Sequence, residues 1–167
     1  MLVWGPHTTI LQEGSDLRQD LRVTLAPAAC VILAEVLVLG RLARGERCSF
    51  RRFQSDLVVS NGTRELYEER YVLEPGATLG AALRGQGVVV SVYGLGAIAD
   101  DAGERLRALV SDNPCVGVSS LPNSAGLVLR GLASSLSAGA ALAEQALLSL
   151  RLSETSASQD PLTRQRL

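Results

Sequence analysis

Residues 30–39, CVILAEVLVL, are apolar at odd and even positions alike apart from one glutamate. A strand sends alternate side chains to opposite faces, so such a run needs an apolar layer on each side. The stretch before it, LRQDLRVTL (17–25), has a different period. Leu17, Leu21, Val23 and Leu25 fall on one face, with Arg18, Asp20, Arg22 and Thr24 on the other. That is a half-buried strand, and Ala26-Pro27 ends it. One strand covered on both faces beside one covered on a single face predicts a mainly β, layered first half.

Gly40 to Glu46 then turns the chain, and RCSFRRFQSDLVVS (47–60) reads as a mixed strand. Asn61-Gly62 is a hairpin signal, because both residues tolerate positive φ. TRELYEERYVL (63–73) returns as a strand with Tyr67, Tyr71 and Leu73 on one face, and Pro75-Gly76 closes this part. Glu65 to Arg70 is expected to be a solvated face in which carboxylates meet arginines. The second half changes character. GVVVSVY (87–93) predicts a strand, DAGERLRALVS (101–111) a helix, and CVGVSS (115–120) with AGLVLRGLA (125–133) a strand pair around Pro122-Asn123. In SAGAALAEQALLSLR (137–151), Leu142, Ala146 and Leu150 recur at helical spacing. The expected organisation is a β-rich part over 1–77, a C-terminal β-α-β-β-α module over 78–153, and a disordered tail over 154–167.

Glu35 is the exception inside the apolar run. A carboxylate there must pair with an arginine, face a polar cavity or be protonated. Pairing with Arg41 or another arginine is the expectation on physical grounds.

Composition removes several kinds of chemistry. All 16 basic residues among the 167 are arginine, which excludes a Schiff base or a lysine nucleophile. A net charge of −1 gives no electrostatic case for nucleic acid or an anionic membrane. Three scattered cysteines without C-x-x-C point to a reducing compartment. The longest apolar runs, 31–39 and 87–93, fall short of the ~20 residues of a membrane span. The beginning, MLVWGPHTT, lacks the features of a signal peptide, so a cytoplasmic protein is expected.

The nucleotide-binding motifs are incomplete. Gly40-Arg-Leu-Ala-Arg-Gly45 has phosphate-loop spacing, but Glu46 and Arg47 stand where lysine and serine or threonine are required. Gly94-Leu-Gly96-Ala-Ile-Ala99 satisfies G-x-G-x-x-A after an apolar run, and a small NAD- or nucleotide-binding domain using Gly94, Gly96 and Ala99 is the alternative reading. The acidic residue such a site needs after the next strand is missing, since CVGVSS offers only Ser119 and Ser120. His7 is the single histidine, which leaves no Cys/His ligand set by spacing. No G-x-S-x-G occurs to go with it.

Taken as an ordered series, the remaining motifs resemble a known family. They are W-x-P-x-x-T-I at Trp4, Pro6, Thr9 and Ile10, then L-A-P-A-A (25–29), then Glu35 with Gly40-Arg41 and Gly45-Glu46. SNGTRELYEERYVLEPGA (60–77) follows, and Leu121, Pro122, Gly126, Leu127, Val128 and Arg130 form an L-P-x-x-x-G-L-V-x-R pattern. The series, from residue 1 to about 150, is similar to the urease accessory protein UreD family, also called UreH. Family members carry Gly-Ala where Ala28-Ala29 stands here, and a small Ala where Ser15 stands. They also carry a β-rich segment ahead of the tryptophan motif, so the resemblance implies a shortened copy, or an inactive remnant. Such a chain would leave a strand edge open to self-association or to a partner.

The resemblance implies a fold of strands stacked in a helix-like way and a role without catalysis. UreD-like proteins bind apo-urease and bridge it to the UreF and UreG accessory proteins, the latter a nickel-carrying GTPase. Nickel passes to the urease active site in transit, with no permanently bound cofactor. Transient contacts by carboxylates and carbonyls would suit a chain without a Cys/His cluster. The matching positions, Trp4, Pro6, Thr9, Ile10, Glu35, Gly40, Arg41, Gly45 and Glu46, are then candidates for partner contact or for the nickel path.

Overall fold

The computed structural model of the chain describes residues 1–151, and the fold is mainly β. The strands are β1 (Leu2–Ile10), β2 (Asp16–Thr24), β3 (Cys30–Val38), β4 (Arg52–Ser60), β5 (Glu65–Leu73), β6 (Val88–Gly96), β7 (Val116–Ser120) and β8 (Gly126–Ala133). The helices are α1 (Ala77–Leu83), α2 (Ala102–Leu109) and α3 (Leu136–Arg151). A five-stranded sheet in the order β1-β3-β6-β8-β7 packs on a three-stranded sheet in the order β2-β4-β5. The first four strands alternate between the sheets. β1 pairs parallel with β3 in one sheet, and β2 pairs parallel with β4 in the other. These strands therefore wind as two stacked coils, the helix-like arrangement the resemblance implies. The pairs that follow, β4 with β5, β3 with β6, β6 with β8 and β7 with β8, are antiparallel. The large sheet takes two strands from residues 1–77 and three from residues 78–153.

Strand β3 explains its own composition. Ile32, Ala34, Val36 and Val38 point to the core beneath α2 and α3, while Val31, Leu33 and Leu37 point to the small sheet. α3 buries Ala143, Ala146, Leu147 and Leu150 on the large sheet, with Leu142 packed at the rim of the same core. Its close approach relies on Gly139, where a Cβ would stand 2.8 Å from Val88. Between the sheets lie two separate apolar clusters. One gathers Leu33, Leu57, Val59 and Leu95, and the other gathers Leu37, Phe50, Phe53 and Leu83.

Three expectations need correction. β4 begins at Arg52 rather than at 47, because the backbone of 48–51 folds back on the β1–β2 turn. Cys48 has a φ of 49°, and the Arg51 amide donates to the Ser15 carbonyl at 2.7 Å. The Asn61-Gly62 hairpin exists as a longer loop, in which Asn61 Oδ1 accepts from the Thr63 and Arg64 amides at 3.1 and 3.0 Å. Such Asx turns replace a tight two-residue connection. Finally, Gly94 and Gly96 do not form a phosphate turn between strand and helix. Both lie inside β6, Gly94 opposite Ile32 and Leu127 and Gly96 opposite Cys30, and α2 starts only at Ala102. A Cβ on Gly96 would collide with the Ala29 carbonyl. A Cβ on Gly94 would stand 3.2 Å from Ile98 and Leu150, so both glycines serve close packing rather than a phosphate loop. The tail expected to be disordered, 154–167, lies outside the described residues.

Candidate functional site

Strands of both sheets carry polar residues at inward positions, and the register lines up one from each of seven strands. His7, Glu35, Ser91 and Arg130 are successive partners across β1, β3, β6 and β8. Facing them, Gln19, Ser55 and Tyr71 are successive partners across β2, β4 and β5. The result is a polar belt through the sandwich, with one apolar cluster on either side of it. Ser91 is 3% exposed and Ser55 6%. Polar groups buried this far cost stability unless they are bonded, so the belt is a feature the packing alone does not require.

At one end of the belt is a cavity of about 300 Å³ between β1 and β2, the edge strands of the two sheets. Trp4, His7, Thr9, Gln19, Glu35 and Ser55 line it, and Tyr93 reaches it from β6. At ~30 Å³ per water it has room for roughly ten. Glu35 Oε1 accepts from Gln19 Nε2 at 2.8 Å. Burial pushes the Glu35 carboxyl above the usual carboxylate range, and the Gln19 hydrogen bond and the nearby Arg130 charge only partly oppose this. The expected Arg41 partner is elsewhere, so of the three options for this carboxylate the polar cavity is the one realised.

The other end of the belt is an ion pair. Arg130 Nη1 donates to Glu69 Oε1 at 2.6 Å, and Arg130 also donates to the Tyr93 hydroxyl. Tyr67 and Tyr93 donate to Glu69 Oε2 at 2.5 and 3.2 Å. Burial alone would raise the Glu69 carboxyl; the bonds from Arg130 and Tyr67 outweigh it and hold Glu69 below its usual range. Burial raises Tyr71 to about 12. The Arg130 guanidinium lies 5.7 and 5.8 Å from the Tyr71 and Tyr93 ring centres, a cation–π arrangement. Glu69 thus departs from the expected solvated face, because strand alternation turns it inward with Tyr67 and Tyr71. Glu68 and Arg70 remain outside, 3.6 Å apart.

The nine residues singled out in the sequence fall into two places. Trp4, Thr9 and Glu35 line the cavity, with the Trp4 ring edge-on to His7 at 4.8 Å. Pro6 is exposed in the same strand, and Ile10 is exposed at its end. Gly40, Arg41, Gly45 and Glu46 form a clasp instead. Glu46 Oε2 accepts from Arg41 Nε at 2.6 Å, and Oε1 accepts from the Glu13 amide at 2.8 Å. Gly40 has a φ of 131°, and a Cβ there would collide with the Glu46 carbonyl. Among the described residues no group of three or more His, Cys, Asp or Glu is placed to hold a metal ion. No helix among them is long and apolar enough to cross a membrane, which says nothing of a β-barrel.

Gln19, Ser55, Glu69, Ser91 and Arg130 were missed as site residues. Each breaks an inward apolar stripe once, and that interruption at matched positions in several strands is the signal that could have found them.

The family model for the UreD urease accessory protein matches residues 1–166. A urease accessory protein UreD of Haloarcula marismortui is 36% identical over 137 residues, 78% of this chain and 46% of that protein. One from Anaeromyxobacter sp. strain Fw109-5 is 32% identical over 149 residues, 85% of this chain and 50% of that protein. A urease accessory protein UreD 2 of Synechococcus sp. strain JA-3-3Ab is 47% identical over 58 residues, 35% of this chain and 22% of that protein. The chain spans about half the length of the first two of these relatives. The chain belongs to the UreD urease accessory protein family.

Proposed function

We propose that this chain acts in urease maturation as a cytoplasmic scaffold with no reaction of its own. It binds apo-urease together with the UreF and UreG accessory proteins, and nickel, as cargo, moves toward the urease active site along the polar belt. Family membership supports the first part. The observation that carries the second is the aligned row of His7, Glu35, Ser91 and Arg130 opposite Gln19, Ser55 and Tyr71.

The chemistry follows from the two ends. A hydrated cation enters between β1 and β2, where Glu35 is the first carboxylate it meets. The raised affinity of that carboxyl for a proton makes cation uptake a displacement of H⁺, favoured as pH rises. Hydroxyl and amide oxygens of Ser55, Ser91 and Gln19 offer weak ligands, which suit transit better than retention. Glu69 is occupied by Arg130 and holds the far end until that pair is moved.

The test is co-purification of the tagged chain with urease structural subunits from cells that also supply UreF and UreG, combined with deletion of its gene. Recovery of urease subunits and loss of nickel-dependent urease activity on deletion are expected. Absence of both would overturn the proposal.

A further inference from the structure

A second recess lies on the other side of the large sheet, beyond the ends of β1 and β3. It is a groove of about 610 Å³ whose walls include Arg41, Arg44, Arg47, Ile10, Leu42 and Leu136. No aspartate or glutamate is among the described residues that line it, although the chain as a whole carries a net charge of −1. The local acid, Glu46, is turned into the clasp, with its side chain 9% exposed. Arg44 is exposed at the tip of the turn over Leu42–Arg44 and has no ion-pair partner among the described residues. Arg47 is exposed and donates only a long bond, 3.4 Å, to the Gly85 carbonyl. Ile10 and Leu136 keep 44% and 39% of their surface exposed. The adjoining start of α3 is already capped, since Ser135 Oγ accepts from the Ala138 amide at 3.2 Å. The positive charge facing the groove is therefore that of the guanidiniums.

From this charge complementarity we infer that the groove docks an acidic, leucine-bearing segment of a partner protein, with the apolar side of the segment on Ile10, Leu42 and Leu136 and its carboxylates on Arg44 and Arg47. Arginine suits the role because its planar fork binds carboxylates in pairs and gives up hydration readily. Apolar anchors surrounded by charge are the usual anatomy of such sites. The inference is independent of the polar belt, which lies on the opposite face of the sheet.

The probe is a fluorescein-labelled peptide repeating Glu-Leu-Glu-Glu-Leu, titrated by fluorescence anisotropy into the full chain. Saturable binding that weakens as salt rises is expected, and the same peptide with Lys for Glu should not bind. The double variant Arg44→Glu, Arg47→Glu should weaken binding by about tenfold or more. Arg44→Ala, at an exposed tip, should weaken it less while leaving the melting temperature unchanged, which guards against misfolding of the double variant. Leu136→Ser should weaken it without altering the salt slope. Absence of saturable binding, indifference to charge reversal, or preference for phosphatidylglycerol vesicles over the peptide would each overturn the proposal.

Discussion

Glu35 is held where ionisation is costly, and the sign of its effect on stability follows from that. Its carboxyl titrates above the ordinary 4.5, so the folded state is penalised once the group ionises. The penalty is absent in acid and grows as pH rises through the ordinary value to the raised one. Glu35→Gln keeps an oxygen for Gln19 and drops the charge, so its melting temperature should exceed that of the parent chain at neutral pH. The gap should close as pH falls below 4.5; a lower melting temperature at neutral pH would contradict this. Glu69 has the opposite sign. Held below its usual range, it contributes stability that is present above 4.5 and lost as pH falls through its folded value. Glu69→Ala strands Arg130 and should cost roughly 1–3 kcal/mol in urea unfolding, less than for a fully buried pair because the Arg130 side chain is 41% exposed. Ala28 is a third case. It takes a φ of 59° in the Ala26-Pro27-Ala28-Ala29 turn, closed by the Ala29 amide on the Ala26 carbonyl at 3.0 Å. Glycine suits that conformation better, and Ala28→Gly should stabilise the chain by about 1 kcal/mol in the same measurement.

At the scale of elements, the stretch from Glu35 to Glu46 separates into two devices that the sequence presents as one motif. Gly40, Arg41, Gly45 and Glu46 shape a loop, and Glu35 belongs to the strand before it. Gly40→Ala should lower the melting temperature strongly, because it combines a disfavoured φ with a collision against the Glu46 backbone. Circular dichroism melting checks this, and an unchanged midpoint would show that the loop yields. Much of the secondary structure was legible because periodicity is local. The double-faced β3, the hairpin, the helical spacing of α2 and α3 and the Val116–Ser120 and Gly126–Ala133 pair all follow from local side-chain spacing and turn residues. The length of β6 was not, since glycines at 94 and 96 read as punctuation unless the groups packed against them, Ile98 and Leu150 at one and the Ala29 carbonyl at the other, are known. The partner of Glu35 was not either. Arg41 is near in sequence, but Glu46, which also bonds the Glu13 amide, competes for it successfully.

For the whole molecule, the deciding fact is the crossing of strands between two sheets. It places Gln19 against Glu35 and Glu69 against Arg130, residues 16 and 61 positions apart. A belt built from seven strands is invisible to a reading of one strand at a time, because most of them contribute a single polar residue that looks like a tolerated exception. The belt also divides the core between the sheets, so deep truncation on either side should be felt. Phe53→Ala, at a residue 0% exposed in the cluster beside the belt, should cost about 3–5 kcal/mol in urea unfolding. The central claim is that Glu35 in the belt serves nickel delivery rather than stability. It is tested most directly by urease activity in cells supplying nickel, the urease subunits and UreF and UreG, with this chain as the sole UreD-type protein. Glu35→Gln is compared with the parent chain at matched abundance. The expected result is urease activation reduced about tenfold or more while the variant stays folded and at least as heat-stable. Full activation by Glu35→Gln would contradict the claim.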